Sequence, residues 1–242
     1  MISRLRPQIL SDSVQHTGVP ALMRRLLAVS DRSAALVTLI AESVALDIIE
    51  ERLQPGTDLN SVELARRFSC SRTPVREALM LLERGGLVDI PARRRPRVAG
   101  LAFDRIEEIY RLRSELYSLV SERVARHAGP AHLTALRHEL AKMSRAANTG
   151  DLSGYFWANV SFHECASDAA SDLTLKRTLD SLGVQVLRLR HYSLSLPNRM
   201  MLSLEDHERL VRAYREHDAS LAGALARSIV VRAFEAMVAD RG

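Results

Sequence analysis

Across residues 32–53 apolar side chains fall at Leu36, Leu39, Ile40, Val44 and Ile48, a spacing that keeps pace with the 3.6-residue helical turn. Gln54, Pro55 and Gly56 then break that helix. Asn60 followed three residues later by Glu63 has the form of a capping box, and predicts a short second helix through Phe68 with Leu64, Ala65 and Phe68 inward. Thr73 as N-cap with Pro74 at the first helical position opens a third helix, whose Val75, Ala78, Leu79 and Leu82 form one apolar stripe before Gly85 and Gly86 stop it. Residues 87–90 and 97–99 read as two short strands around a hairpin of Pro91, Ala92, Arg93, Arg94, Arg95 and Pro96. Three helices and a hairpin predict a winged helix-turn-helix over residues 31–100.

Residues 1–30 read as an arm broken by Pro7, Gly18 and Pro20, with a short amphipathic helix possible within 20–29. Beyond Gly100 the periodicity is helical almost throughout, over about 104–128, 133–147, 151–166, 173–194, 204–216 and 219–238. The expected fold is therefore mainly α: an N-terminal winged helix-turn-helix and, over residues 101–242, an all-α bundle of about six helices.

Length and composition agree with two modest domains: 242 residues, 47% hydrophobic and only 5% aromatic, so the cores must be built from Leu, Val, Ile and Ala. No apolar stretch approaches the ~18 residues of a membrane span, and the start of the chain lacks a signal-peptide apolar region, which predicts a cytoplasmic protein. Cys70 and Cys165 are too few for a disulfide framework or a Cys-rich zinc site.

The net charge of +5 is unevenly placed. Residues 61–100 carry nine Arg against four acids, and the last 142 residues are nearly neutral, with 19 bases against 18 acids. Because 32 of the 34 bases are Arg, the choice of Arg says nothing, but its clustering is the footprint of a nucleic-acid surface. In a helix-turn-helix the start of the second motif helix projects furthest into the major groove. Here that start is Ser71, Arg72, Thr73, Pro74, Val75 and Arg76. Arg72 and Arg76 lie about one turn apart and can grip phosphates or pair with guanine, while Ser71 and Thr73 can bond phosphate oxygens.

Residues 53–59 (Leu-Gln-Pro-Gly-Thr-Asp-Leu), Leu64-Ala65, residues 71–79 (Ser-Arg-Thr-Pro-Val-Arg-Glu-Ala-Leu) and residues 82–88 (Leu-Glu-Arg-Gly-Gly-Leu-Val) closely resemble the GntR family of bacterial transcription regulators. That resemblance covers about seventy residues. It implies that Arg72, Thr73 and Arg76 contact operator DNA and that the wing tip enters the minor groove. Two departures stand out: an Arg of some members is Val62 here, and the wing glycine of many members is replaced by Arg93. The run Arg93, Arg94, Arg95 suits either a narrow minor groove or simple phosphate contact.

In the second domain, Asn159 and His163 share a helix face at i and i+4, and His207 begins a later helix; such a set can ligate a divalent metal. The segments 109–113, 159–163 and 205–207, with Ala213 and Asp218, resemble the all-helical FCD effector domain of the family's FadR-type branch. Many members of that branch hold a metal with an Asp, a His four residues on and two later His, and bind organic acids beside it. The resemblance implies a homodimer on double-stranded palindromic operator DNA, a small carboxylate effector, and a partial zinc or nickel site at Asn159, His163 and His207. Asn159 stands at the Asp position and Ile229 at the last His position, so the site is at best partial, with weak or no metal expected; His191 or His217 could substitute, though nothing in the sequence requires it. Arg113 either holds a carboxylate or pairs with Glu108 or Glu115. The rival reading is a metal-dependent hydrolase using His163 and His207, against which the sequence has no HExxH, nucleophile elbow, P-loop or dinucleotide turn.

Overall fold

A computed structural model describes residues 19–28, 35–100 and 103–241. The chain divides into two compact units, Met1–Leu101 with Asp180–Arg188, and Ala102–Leu179 with Leu189–Gly242. Residues 1–18 of the expected arm lie outside the described residues, whereas its short helix is present as α1 (Val19–Leu26), with Val19, Leu22 and Met23 buried.

The first unit continues with α2 (Ala35–Ile49), α3 (Ser61–Arg67), α4 (Arg72–Arg84), β1 (Val88–Asp89) and β2 (Arg97–Val98). Helix α2 is shorter than its periodicity suggested, ending before a left-handed Glu51, and it is buried on nearly every face rather than one. Its two buried acids are therefore paired: Glu42 accepts from Arg24 at 3.0 Å, and Asp47 takes Arg52 at 2.8 Å and Arg67 at 2.7 Å. A carboxylate removed from water needs such partners. Asn60 caps α3 as expected, accepting from the Val62 N–H at 2.9 Å, but Glu63 takes the Asn60 side-chain amide at 3.1 Å instead of its backbone.

Helix α4 begins two residues earlier than the sequence suggests. Ser71 is the N-cap, without a side-chain bond, so Thr73 is not the cap and Pro74 is third in the helix. Proline fits there because no N–H of the first turn has a helical partner to lose. The predicted stripe Val75, Ala78, Leu79 and Leu82 is fully buried. The wing pairs antiparallel, Val88 with Val98 and Asp89 with Arg97. Residues 56–59, of which the sequence pattern marked only Gly56, as a helix breaker, form its third rail: Gly56 N–H donates to Val98 O, Val98 N–H to Thr57 O and Leu59 N–H to Pro96 O at 2.7–2.9 Å.

The second unit is helical: α5 (Phe103–His127), α6 (Pro130–Thr149), α7 (Leu152–Ala169), α8 (Leu173–Ser181), α9 (Gln185–Ser195), α10 (Arg199–Arg215) and α11 (Ala219–Ala239), with the end of α8 and the start of α9 belonging to the first unit. The single helix expected over 173–194 is two, because Gly183 takes φ +77° and ends the run. The helix expected from about residue 204 starts at Arg199, after a left-handed Asn198. Helices α5 and α11 pack closely where Gly223 faces Ser118 and Glu122, leaving a built Cβ only 3.0 Å and 2.8 Å from their side chains. Trp157, Tyr155, Phe156 and Phe162 of α7 and Tyr214 of α10 fill the core, where Tyr214 and Ser121 hydroxyls bond at 2.8 Å. Among the described residues no helix is long and apolar enough to cross a membrane.

Candidate functional site

In the first unit the start of α4 and the wing face one cleft. Leu59, Asn60, Ser61, Val62, Arg72, Arg76, Leu79, Met80, Ile90, Arg94, Arg95 and Pro96 line it, around about 660 Å³ of space. Four of the seven predicted DNA-contacting residues, Arg72, Arg76, Arg94 and Arg95, thus converge from two elements distant in sequence. Ser71 and Thr73 are exposed at the same helix start, and Arg93 is exposed at the wing tip, but these three do not line the cleft. Arg93 sits at φ +59°, the left-handed region where a side chain costs energy and glycine does not. This is the position where the resemblance expects glycine. Not all of the clustered charge is free: Arg67 is held by Asp47 and Arg97 lies 3.7 Å from Asp89, whereas Arg95 has only a loose, exposed contact with Asp58 at 3.9 Å and stays open to DNA. Arg72, Arg76, Arg93 and Arg94 have no ion-pair partner among the described residues and can meet phosphate directly.

The second unit holds a small cavity of about 40 Å³, lined by Tyr110, Arg113, Asn159, His163, Arg190, Ser193, Leu194, Arg199, Ser203, His207, Ile229, Val230 and Ala233. All four residues predicted for an effector or metal are therefore together, and Ile229 shares their wall. The His207 Nδ1–H donates to the Ser203 carbonyl at 2.6 Å, which fixes the tautomer and turns a lone pair on Nε2 inward. That lone pair accepts from Asn159 Nδ2 at 3.2 Å and faces His163 Nε2 at 3.4 Å. Burial and the nearby Arg190 hold both imidazoles neutral, His207 down to about 4 and His163 well below the ordinary histidine range, with His207 and Arg113 adding to the effect on His163.

This donor set does not fit a divalent metal. It presents two imidazoles and one amide, the lining contains no carboxylate, and three guanidinium groups repel a cation. Neither proposed substitute completes it. His217 Nδ1 bonds the Ala125 carbonyl at 2.9 Å, and His191 packs edge-on against Phe156; neither lines the cavity. No group of three or more His, Cys, Asp or Glu placed to hold a metal occurs among the described residues.

Arg113 is not the surface ion pair that sequence left open: it is 4% exposed, lies over Tyr110 and Tyr117 at 4.7 and 5.6 Å, and Glu115 pairs with Arg227 instead. Sequence reading missed Arg190 and Arg199, both 8% exposed. The available signal was weak, since Arg190 stands in a run of alternating Arg and apolar residues that reads as an ordinary helix surface.

Comparison with known proteins agrees with both units. Residues 36–98 match the gntR family of bacterial regulatory proteins, and residues 108–232 match the FCD domain. The chain is 29% identical over 164 residues to the HTH-type transcriptional regulator YdhC of Bacillus subtilis, covering 67% of this chain and 73% of that one. It is 28% identical over 184 residues to the probable D-xylose utilization operon transcriptional repressor of Paenarthrobacter nicotinovorans, covering 76% and 80%. The solved structure of E. coli McbR/YncC shares the fold with a TM-score of 0.73 at 21% identity, covering 86% of this chain and all of that one. These matches set the hydrolase reading aside: the chain belongs to the GntR family of bacterial regulatory proteins, in the form that carries an FCD domain, and is a DNA-binding transcriptional regulator rather than an enzyme.

Proposed function

We propose that the protein is a cytoplasmic, ligand-responsive repressor that binds a palindromic operator as a homodimer. DNA reading is assigned to residues 31–100 and effector binding to residues 101–242. Ser71, Arg72, Thr73 and Arg76 at the start of α4 contact the major groove, and Arg93, Arg94 and Arg95 contact phosphates or the minor groove. A small organic acid occupies the cavity containing Arg113, Asn159, His163 and His207. The observation that carries this reading is the convergence of α4 and wing arginines on one exposed cleft, since a helix start and a hairpin tip of the same sign suit adjacent grooves of a duplex. Repression, rather than activation, is supported by the relative named as a probable repressor of a D-xylose operon. A dimer follows from the need to place two recognition helices about one helical turn of DNA apart.

The test is binding to duplex DNA in a salt series, with the selected operator and a scrambled duplex of equal length. Affinity for the operator should fall roughly a thousandfold or more between about 50 and 200 mM salt, with a stoichiometry of two chains per palindrome. Equal affinity for both duplexes, or one chain per palindrome, overturns the reading.

A further inference from the structure

We infer that the cavity of the second unit binds, without a metal, a small molecule carrying at least two negative charges, with the guanidinium groups of Arg113, Arg190 and Arg199 as its counter-charge. This rests on the reading of that cavity as the effector site, and adds the charge class of the ligand and the absence of a metal bridge.

The three arginines come from three helices, α5, α9 and α10, and each is more than nine-tenths buried. Among the described residues none has a carboxylate within ion-pair distance, and none of the acids lines the cavity. Asp206 acts on Arg199 through space without pairing with it, and is itself bonded by Arg232 at 2.8 Å and approached by Arg209 at 3.7 Å. The direct contacts of Arg190 and Arg113 are with neutral groups. Arg190 donates to the Tyr117 hydroxyl at 3.0 Å, and Arg113 lies over tyrosine rings, contacts that offset only part of the cost of burying a cation. Nε and one Nη of Arg113, and Nε of Arg199, are buried with no hydrogen-bond partner. Unpartnered buried donors are rare in folded proteins, and here they border one cavity.

A guanidinium left this way is matched by a carboxylate or phosphoryl group, whose oxygens accept paired N–H donors. A single carboxylate would neutralise one of three charges, so two or more anionic groups fit better. Ser193, Ser203 and Asn159 can serve neutral hydroxyl or carbonyl groups, and Leu194, Ile229, Val230 and Ala233 provide an apolar side for a short carbon chain. The cavity is small, about 40 Å³, which favours a short ligand. The same three charges that attract a dianion repel the metal that related sites use.

The test uses the full chain dialysed against a chelator, titrated calorimetrically at constant ionic strength with succinate, inorganic phosphate and the monoanion butyrate. Succinate or phosphate should bind at least about tenfold more tightly than butyrate, unaffected by chelator. Binding of succinate alone identifies a dicarboxylate, and of phosphate alone a phosphoryl compound. Arg190→Gln and Arg199→Gln should each weaken binding about tenfold or more while leaving the unliganded melting temperature unchanged or raised, because each removes a repelling, unpaired charge; a purely structural arginine would lower it. Equal binding of butyrate, binding of no dianion, or binding that requires added zinc or nickel overturns the inference. Operator affinity measured with the bound dianion separates the two claims: if the dianion binds and operator affinity does not change, ligand control fails while the site stands.

Discussion

His163 and His207 present their Nε2 atoms to each other at 3.4 Å inside a cavity whose wall includes Ile229. Two imidazoles are already oriented as metal ligands would be, with the His207 Nδ1–H held by the Ser203 carbonyl, yet the remaining positions are an amide and an aliphatic chain. Metal affinity comes from the number and geometry of deprotonated donors, so this arrangement is a ligand frame without its anionic member.

After dialysis the unaltered chain should therefore carry well under one zinc or nickel by elemental analysis. Replacing the two departing residues together, Asn159→Asp with Ile229→His, supplies a carboxylate and a third imidazole and should raise metal retention above that of the parent. Stoichiometric metal on the unaltered chain would contradict the geometry.

The same histidines predict a pH response. His207 titrates near 4 in the folded chain against about 6.5 unfolded, so between these values the unfolded state binds the extra proton and stability rises with pH. The contribution is whole above about pH 6.5 and is lost as pH falls toward 4, with a slope of up to about 1.4 kcal/mol per pH unit for one such group. Thermal melts from pH 7 to pH 5 should show the decline, and His207→Gln should flatten it. An unchanged slope in that variant would show that other groups set the acid limit.

At the DNA face, Arg72→Ala and Arg76→Ala should each cost about 1–3 kcal/mol at a preferred operator, read by fluorescence anisotropy. Both side chains are exposed and take no part in the buried stripe of α4, so folding should be unaffected. Full affinity in both variants would remove α4 from the interface.

The wing separates strain from charge. Arg93→Gly removes a left-handed side chain and should leave the melting temperature unchanged or raised, because the αL penalty of roughly 1–2 kcal/mol outweighs or matches the entropy that glycine adds to the unfolded chain. Replacing Arg93, Arg94 and Arg95 by Gln should flatten the slope of log affinity against log salt by up to about 3. Loss of preference for A·T positions without that flattening would assign the wing to minor-groove shape instead.

What the sequence determined by itself was local. Periodicity and caps located Asn60 at the start of α3, the stripe Val75, Ala78, Leu79 and Leu82, the stop at Gly85 and the paired wing strands, because each depends on residues a few positions apart. Place at the helix start singled out Arg72 and Arg76, and helical spacing singled out Asn159 and His163 with His207; the family resemblance added the roles expected of them. Tertiary structure decided the rest. Glu42 and Asp47 sit inside α2 because arginines remote in sequence neutralise them, and residues 56–59 join the wing through backbone bonds that leave no mark in side-chain pattern. Arg190 and Arg199 look like solvated helix residues in the sequence; only the packing of α5, α9 and α10 removes them from water, with no salt bridge to either among the described residues. Whether a charge is paired or left for a ligand depends on which groups lie across a cavity, and that is a property of the fold rather than of any window of the chain.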